Sequence, residues 1–199
     1  FEIAIRELGG DFIGPPADVA LGLRESLADV GRSLERWVAG AVVRTFEQAR
    51  LTDLAVATST LRVINALTTE EHPCQALADC LTLKERWGDV RGKTIAFIGD
   101  GNNVATSLSI ACASVGTDFI LSCPPGYEIP SNLWLEAQKR SNVTGSQLEI
   151  INDPQLAVLN ADVIYTDVWV SMGQEDESKN RIEQFHQYQV NPALMRLAN

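Results

Sequence analysis

The chain has 199 residues, 45% hydrophobic and 21% charged, which is ordinary globular composition with enough length to bury a core. Its formal net charge of −10 speaks against a nucleic-acid role, which needs a basic footprint, and no apolar run reaches the roughly 20 residues of a membrane helix. Four cysteines without C-x-x-C spacing and only two histidines, His72 and His186, make a zinc site a poor reading and reduced thiols in a cytoplasm-like compartment the natural one.

The chain opens on FEIAIREL with helical periodicity already running, Phe1, Ile5 and Leu8 sharing a face without a preceding cap. No signal-peptide leader is expected in these opening residues. A short strand is expected at residues 11–13. After it comes a helix over 25–38 with Leu27, Gly31, Leu34 and Val38 on one face. A strand at 41–44, a helix near 51–57 and a strand at 62–65 follow. Pro73 then starts a longer helix, at the position where its missing N–H costs nothing, and the helix runs to about Trp87. The polar, Gly-flanked GDVRG link after it marks the expected boundary between a first domain, 1–88, and a second, 89–199.

The second half repeats the alternation. TIAFI (Thr94–Ile98) is apolar without alternation, as a strand covered on both faces should be. The following helix is expected to bury Val104, Leu108, Ala111 and Val115. DFILS (Asp118–Ser122) is the next strand, followed by a helix over 131–140 and a strand over 148–151. A helix capped by Asp153 with Pro154 at its first position leads to the strand VIYT. NPALMRLAN reads as a helix starting after Asn191 and still running at Asn199. Both termini are thus expected to cut through structure, as in an internal fragment. The fold class expected is α/β, two doubly wound parallel-sheet (Rossmann-like) domains, both incomplete in this chain.

In such folds ligands sit beyond the carboxyl ends of the strands. Those ends carry Arg44, Asn65 with the loop to His72, the GDGNN loop (99–103), Cys123–Pro124, and Asp167. IGDGNN lacks the third glycine of a dinucleotide fingerprint, since residue 104 is valine. No acid follows at the end of the next strand to hold a ribose, so a nicotinamide cofactor is disfavoured. The amides of Asn102 and Asn103 stand at a helix start, where they either bind a charged ligand or cap the helix. In TTEEHPCQALADCL, Pro73 restricts His72 to extended backbone just before the helix, and Gln75 lies one turn on. Both can point at one place beside N–H groups that favour an anion. A lone His-Pro would more simply be a capped helix, and a lone Arg44 a surface ion pair. Arg44, His72 and Gln75 at one sheet edge argue for a site. DVIYTDVWVSMGQEDE leaves a buried strand into Asp167, Ser171, Met172 and Gly173, a binding set rather than turn chemistry.

These segments resemble the ornithine carbamoyltransferases over essentially the whole chain. HPCQALADCLTL is similar to the family's H-P-x-Q-x-L-A-D segment, GDGNNVATS to its G-D-x-x-N-N loop, and TDVWVSMGQEDE to its ornithine loop. LGLRESLADVGRSLERWVAGAVVRTF and VINALT fall where the family has similar segments. Aspartate carbamoyltransferases share H-P-x-Q but neither of the other two motifs. The resemblance implies transfer of the carbamoyl group of carbamoyl phosphate to the side-chain amine of L-ornithine, giving L-citrulline and phosphate, in arginine metabolism. It implies that Arg44, His72 and Gln75 bind carbamoyl phosphate, with Arg44 and His72 polarising its carbonyl, and that Asn103, Asp167, Ser171 and Met172 hold ornithine. It also implies a closing loop around Gly173, no metal and no cofactor, and a homotrimer. The compartment implied is the cytoplasm, or the mitochondrial matrix in a eukaryote.

The chain departs from the family in places. The phosphate-binding S-T-R-T-R motif and the later H-C-L-P loop do not occur in it, so residues 1–199 alone are expected to be inactive. Ala20 stands where relatives commonly carry glutamine or histidine reaching a neighbouring subunit, and Ala66 stands where they usually have glycine. The competing readings are a carbamoyltransferase-like protein acting on another amine such as putrescine, or without activity, and a nucleotide-dependent oxidoreductase or binding domain.

Overall fold

The computed structural model describes residues 1–14, 25–171 and 175–199. Ala20, Met172 and Gly173 lie outside them. The chain divides into two compact units, Phe1–Thr69 and Glu70–Asn199.

In the first unit, α1 (Glu2–Glu7) is followed by an irregular stretch, and residues 11–13 form no strand. DFI is too short to hold an extended conformation without a partner strand. The Phe12 ring instead packs under the Arg6 guanidinium, 4.6 Å away. α2 (Leu27–Leu34) begins where the Ser26 hydroxyl accepts from the Asp29 N–H, and it is shorter than periodicity suggests. It stops because Glu35 turns outward, its Oε2 accepting from the Ser59 and Thr60 amides. The expected face is nonetheless the packed one. A Cβ on Gly31 would come within 2.6 Å of Thr58 Cγ2, so α2 reaches its neighbour α3 (Gln48–Val56) closely only through glycine. Two parallel strands, β1 (Gly40–Arg44) and β2 (Arg62–Leu67), pair from Gly40↔Arg62 with a shift after Val43. Val43, Leu51 and Leu54 form the core of this unit.

The second unit starts with α4 (Pro73–Trp87), which has Pro73 at its first turn and ends at Gly88, φ +76°. Its sheet is parallel, in the order β5-β4-β3-β6. The strands are β3 (Thr94–Ile98), β4 (Asp118–Ser122), β5 (Leu148–Ile150) and β6 (Val163–Tyr165). α5 (Asn103–Val115), α6 (Ser131–Thr144) and α7 (Pro154–Ala157) are the crossovers. β3 is buried on both sides. Ile95 and Phe97 pack with Phe119, Leu121 and the α5 residues Ala105, Leu108 and Cys112, while Ala96 and Ile98 pack with Ala157, Val158, Ala161 and Phe185. That explains the unbroken apolar run of TIAFI. α5 buries more than one stripe, including Thr106, Ser107 and Ser109, because α4 and α6 flank it; Val115, expected inside, is 39% exposed at the helix end.

Phe97 is fully buried, stacked on Tyr165 at 5.3 Å and tilted against Phe119 at 6.4 Å. Phe97→Ala is expected to destabilise the second unit by about 3–5 kcal/mol, read from urea unfolding. A loss under about 1 kcal/mol would mean that this sheet face is not the core.

Two elements depart from expectation after β6. A helix α8 (Ser178–Phe185) forms in a polar stretch, and the helix after Asn191 is only α9 (Pro192–Met195). Asn191 caps α9 through Oδ1, but the chain then leaves the helix, and the Asn199 amide pairs with the Ala161 carbonyl.

Candidate active site

β3 runs on through α5 to β4 on one side, whereas β6 returns to its other side, so the β3/β6 pair is the topological switch point of the sheet. Crevices form at such points because successive crossovers depart in opposite directions. The two chain segments leaving there are Gly99–Asn103 and Thr166–Ser171, the ones singled out by sequence.

Asn102 joins them. Its Oδ1 accepts from the Val104 and Ala105 amides at 3.0 and 3.1 Å, capping α5, and its Nδ2 donates to Asp167 Oδ2 at 3.1 Å. Of the two roles open on sequence grounds, Asn102 performs the capping one, and its other end holds Asp167. Asp167 is thus held through Oδ2. Thr166, just before it, ties the loop down by donating Oγ1–H to the Ile98 carbonyl at 2.9 Å. Asn103 is the first residue of α5 and half-buried, and Ser171 is half-buried four residues after Asp167. The predicted site residue Met172 lies outside the described residues.

In GDGNN, Gly101 has a packing reason, whereas Gly99 takes a positive φ of 148°. The Gly101 amide donates to the Tyr127 carbonyl at 2.8 Å, and a Cβ there would sit 2.4 Å from the Ile129 nitrogen. Beneath the loop lies a pair that sequence reasoning missed. Arg181 of α8, 4% exposed, donates Nη2–H to Asp100 Oδ2 at 2.8 Å and lies over the Tyr127 and Phe185 rings at 5.0 and 5.8 Å. Burial raises the Asp100 carboxyl above the usual range. Arg181 opposes this, while Asp167 and Glu177 add to it.

At the start of α4, His72 has φ −132° and ψ 63°. It is kept out of the helix as the following proline requires, though less extended than expected. Its side chain does not cap α4 by a hydrogen bond. The His72 amide donates to Ser107 Oγ at 2.8 Å, fixing this turn to α5, and Ser107 Oγ also lies 3.4 Å from Glu71 Oε2. Burial pushes the Glu71 carboxyl up, against the Ser107 hydrogen bond. Gln75 Nε2 donates to Asp79 Oδ1 at 3.0 Å, and Tyr165 Oη donates to Asp79 Oδ2 at 3.0 Å. The first turns of α4 are thereby tied to both α5 and β6.

Arg44 belongs to the first unit. It ends β1 opposite Leu67, and the next amide, Thr45, donates to the Leu67 carbonyl at 3.0 Å. The neighbouring end of β2 is stiffened by Gln48, whose Oε1 accepts from Thr68 Oγ1 at 2.8 Å and Asn65 Nδ2 at 3.3 Å. Arg44 thus stands at the carboxyl edge of its own sheet, as predicted.

Two family descriptions match this chain. "Aspartate/ornithine carbamoyltransferase, carbamoyl-P binding domain" matches residues 1–85, and "Aspartate/ornithine carbamoyltransferase, Asp/Orn binding domain" matches residues 91–199. An ornithine carbamoyltransferase of Methanothermobacter thermautotrophicus is 46% identical over all of this chain and 65% of its own length. One from Methanopyrus kandleri is 44% identical over 98% of this chain and 62% of its own length. The solved ornithine carbamoyltransferase of Pyrococcus furiosus superposes with a TM-score of 0.94 at 41% identity, covering 100% of this chain and 63% of that one. The chain spans a little under two thirds of the length of these relatives.

Proposed function

The chain belongs to the aspartate/ornithine carbamoyltransferase family, and from that premise we propose that it carries ornithine carbamoyltransferase activity in the full-length protein. The reaction joins the side-chain amine of L-ornithine to the carbonyl carbon of carbamoyl phosphate. The C–O bond to phosphate breaks, the amine loses a proton, and citrulline and phosphate leave. The observation that carries this reading is Asp167. It is a carboxylate at the switch point, held on one oxygen by Asn102 and set in a segment that matches the ornithine loop. The relatives described above are all ornithine enzymes, which supports ornithine over another amine.

In this reading Asp167 takes an ammonium group of ornithine, Ser171 supplies a hydroxyl, and Asn103 and Met172 complete the pocket. Arg44, His72 and Gln75 bind carbamoyl phosphate. The resemblance assigns Arg44 and His72 to polarising the carbonyl oxygen, where the tetrahedral intermediate develops negative charge and fixed donors stabilise it most. In this reading residues 1–88 form the carbamoyl phosphate domain and 89–199 the ornithine domain, while α4 packs against α5. A homotrimer follows from the resemblance. Cys80, Cys112 and Cys123 lie outside any disulfide, in keeping with the cytoplasm or the mitochondrial matrix.

Asp167→Asn in the full-length protein tests the assignment. Removing a charge-assisted bond worth about 1.5–3 kcal/mol is expected to weaken ornithine binding by about one to two orders of magnitude. Carbamoyl phosphate binding should be nearly unchanged. An unaltered ornithine KM and kcat would remove Asp167 from the site, and with it the ornithine reading.

A further inference from the structure

An amide side chain has two chemically opposite ends of almost the same shape. Which end Gln75 presents decides what it can recognise. On α4, Gln75 is exposed at the first turn, and Asp79 lies one turn on and half-buried. Gln75 Nε2 donates to Asp79 Oδ1 at 3.0 Å, and the other carboxylate oxygen receives the Tyr165 hydroxyl, also at 3.0 Å. Tyr165 is fixed in turn, stacked on the fully buried Phe97 at 5.3 Å within a paired strand. An i, i+4 pair on a helix surface would be ordinary by itself. Here the acceptor is clamped from the sheet, so the Asp79 carboxylate has one orientation and offers Gln75 only a lone pair.

We propose that Asp79 is a positioning residue: it holds the Gln75 amide by its NH₂ end and turns Oε1 outward as an acceptor for the N–H of a carbamoyl group. This rests on the assignment of Gln75 to carbamoyl phosphate made above. A carbonyl oxygen facing the ligand favours an acyl phosphate that bears N–H over one that bears C–H. The substrate contrast is therefore carbamoyl phosphate against acetyl phosphate, which has the same shape with methyl in place of NH₂. Burial holds the Tyr165 phenol well above its ordinary pKa, so the hydroxyl stays a donor to Asp79 across the working pH range.

The experiment measures, in the full-length protein, the KM for carbamoyl phosphate and the inhibition constant of acetyl phosphate. The variants are Asp79→Ala, Gln75→Leu, the double variant and Asp79→Asn. One lost hydrogen bond of this kind corresponds to about tenfold. Asp79→Ala is expected to lose about tenfold in the preference for carbamoyl over acetyl phosphate, with acetyl phosphate inhibition itself little changed. Gln75→Leu should do the same, and the double variant should be no worse than either single one, because both act through one contact. Asp79→Asn, which can keep an oxygen toward Gln75 and an NH₂ toward the tyrosine, should stay within about threefold of the parent.

A merely structural Asp79 would give a different pattern. Both acyl phosphates would weaken together, and the double variant would lose the sum of the two effects; either result overturns the proposal. A tenfold loss in Asp79→Asn would also overturn it, since charge rather than orientation would then be at work. If Asp79→Ala does not fold, Asp79→Ser, which also removes the acceptor for Gln75, is read in its place against the same expectations. Gln75→Leu with an unchanged preference would refute the carbamoyl assignment itself, and the proposal with it. Gln75→Leu losing the preference while Asp79→Ala retains it would refute the proposal alone.

Discussion

Replacing His72 by glutamine is expected to lower kcat about a hundredfold in the full-length protein while changing carbamoyl phosphate affinity by less than about tenfold. The backbone of His72 is pinned, with its amide on Ser107 Oγ at 2.8 Å and Pro73 starting the helix, so the turn has little freedom to follow a new side chain. Glutamine keeps an N–H donor but places it off the line to the carbonyl oxygen. Charge on that oxygen grows only as the amine attacks, so a misplaced donor costs more in the transition state than in the bound substrate. Steady-state kinetics combined with equilibrium binding of carbamoyl phosphate separates the two effects. A loss confined to affinity would make His72 a binding residue and remove the polarising role.

The second large effect concerns the pair beneath the GDGNN loop. Arg181→Met is expected to destabilise the protein by about 3–5 kcal/mol at neutral pH, because it leaves the Asp100 carboxylate buried without its partner. The Asp100 pKa is already raised by burial with Arg181 present, and removing the cation raises it further. A folded-state pKa above the unfolded value gives stability that is present below the unfolded pKa and lost as pH rises through the folded one. The variant should therefore recover part of its stability on acidification through that window, upward from the ordinary carboxylate pKa. The double variant Asp100→Asn with Arg181→Met should recover it at neutral pH. Urea unfolding across the acid range reads both. A pH-independent loss would show that Arg181 contributes through packing on Tyr127 and Phe185 rather than through its charge.

The limits of the sequence are visible in particular residues. β3 and β4 are found at Thr94–Ile98 and Asp118–Ser122 as periodicity predicts, and α4 runs from Pro73 to Trp87. Signals for these elements are local, residing in unbroken apolar runs and a His-Pro start. The helix expected over 25–38 ends at Leu34 because Glu35 is drawn away to amides 24 and 25 residues later in the chain. α8 was not expected at all. SKNRIEQF reads as a solvated stretch, yet its arginine is buried because an acid 81 residues earlier compensates its charge.

The same division holds at the site. That Arg44, His72, Gln75 and Asp167 stand at the carboxyl ends of strands or the start of a helix follows from alternation alone, since each is placed by the element it terminates. That Asn102 rather than a solvent molecule holds Asp167, that Gly101 serves loop packing, and that Asp79 is gripped from β6 depended on the order β5-β4-β3-β6. By itself the sequence determined the α/β class, most of the elements, the family motifs and the residue types offered to a ligand. Only the tertiary structure decided which of those residues hold one another. Hydrogen bonds between residues 65, 81 and 86 positions apart depend on strand order, and strand order is set by how the whole sheet packs rather than by any window of the chain.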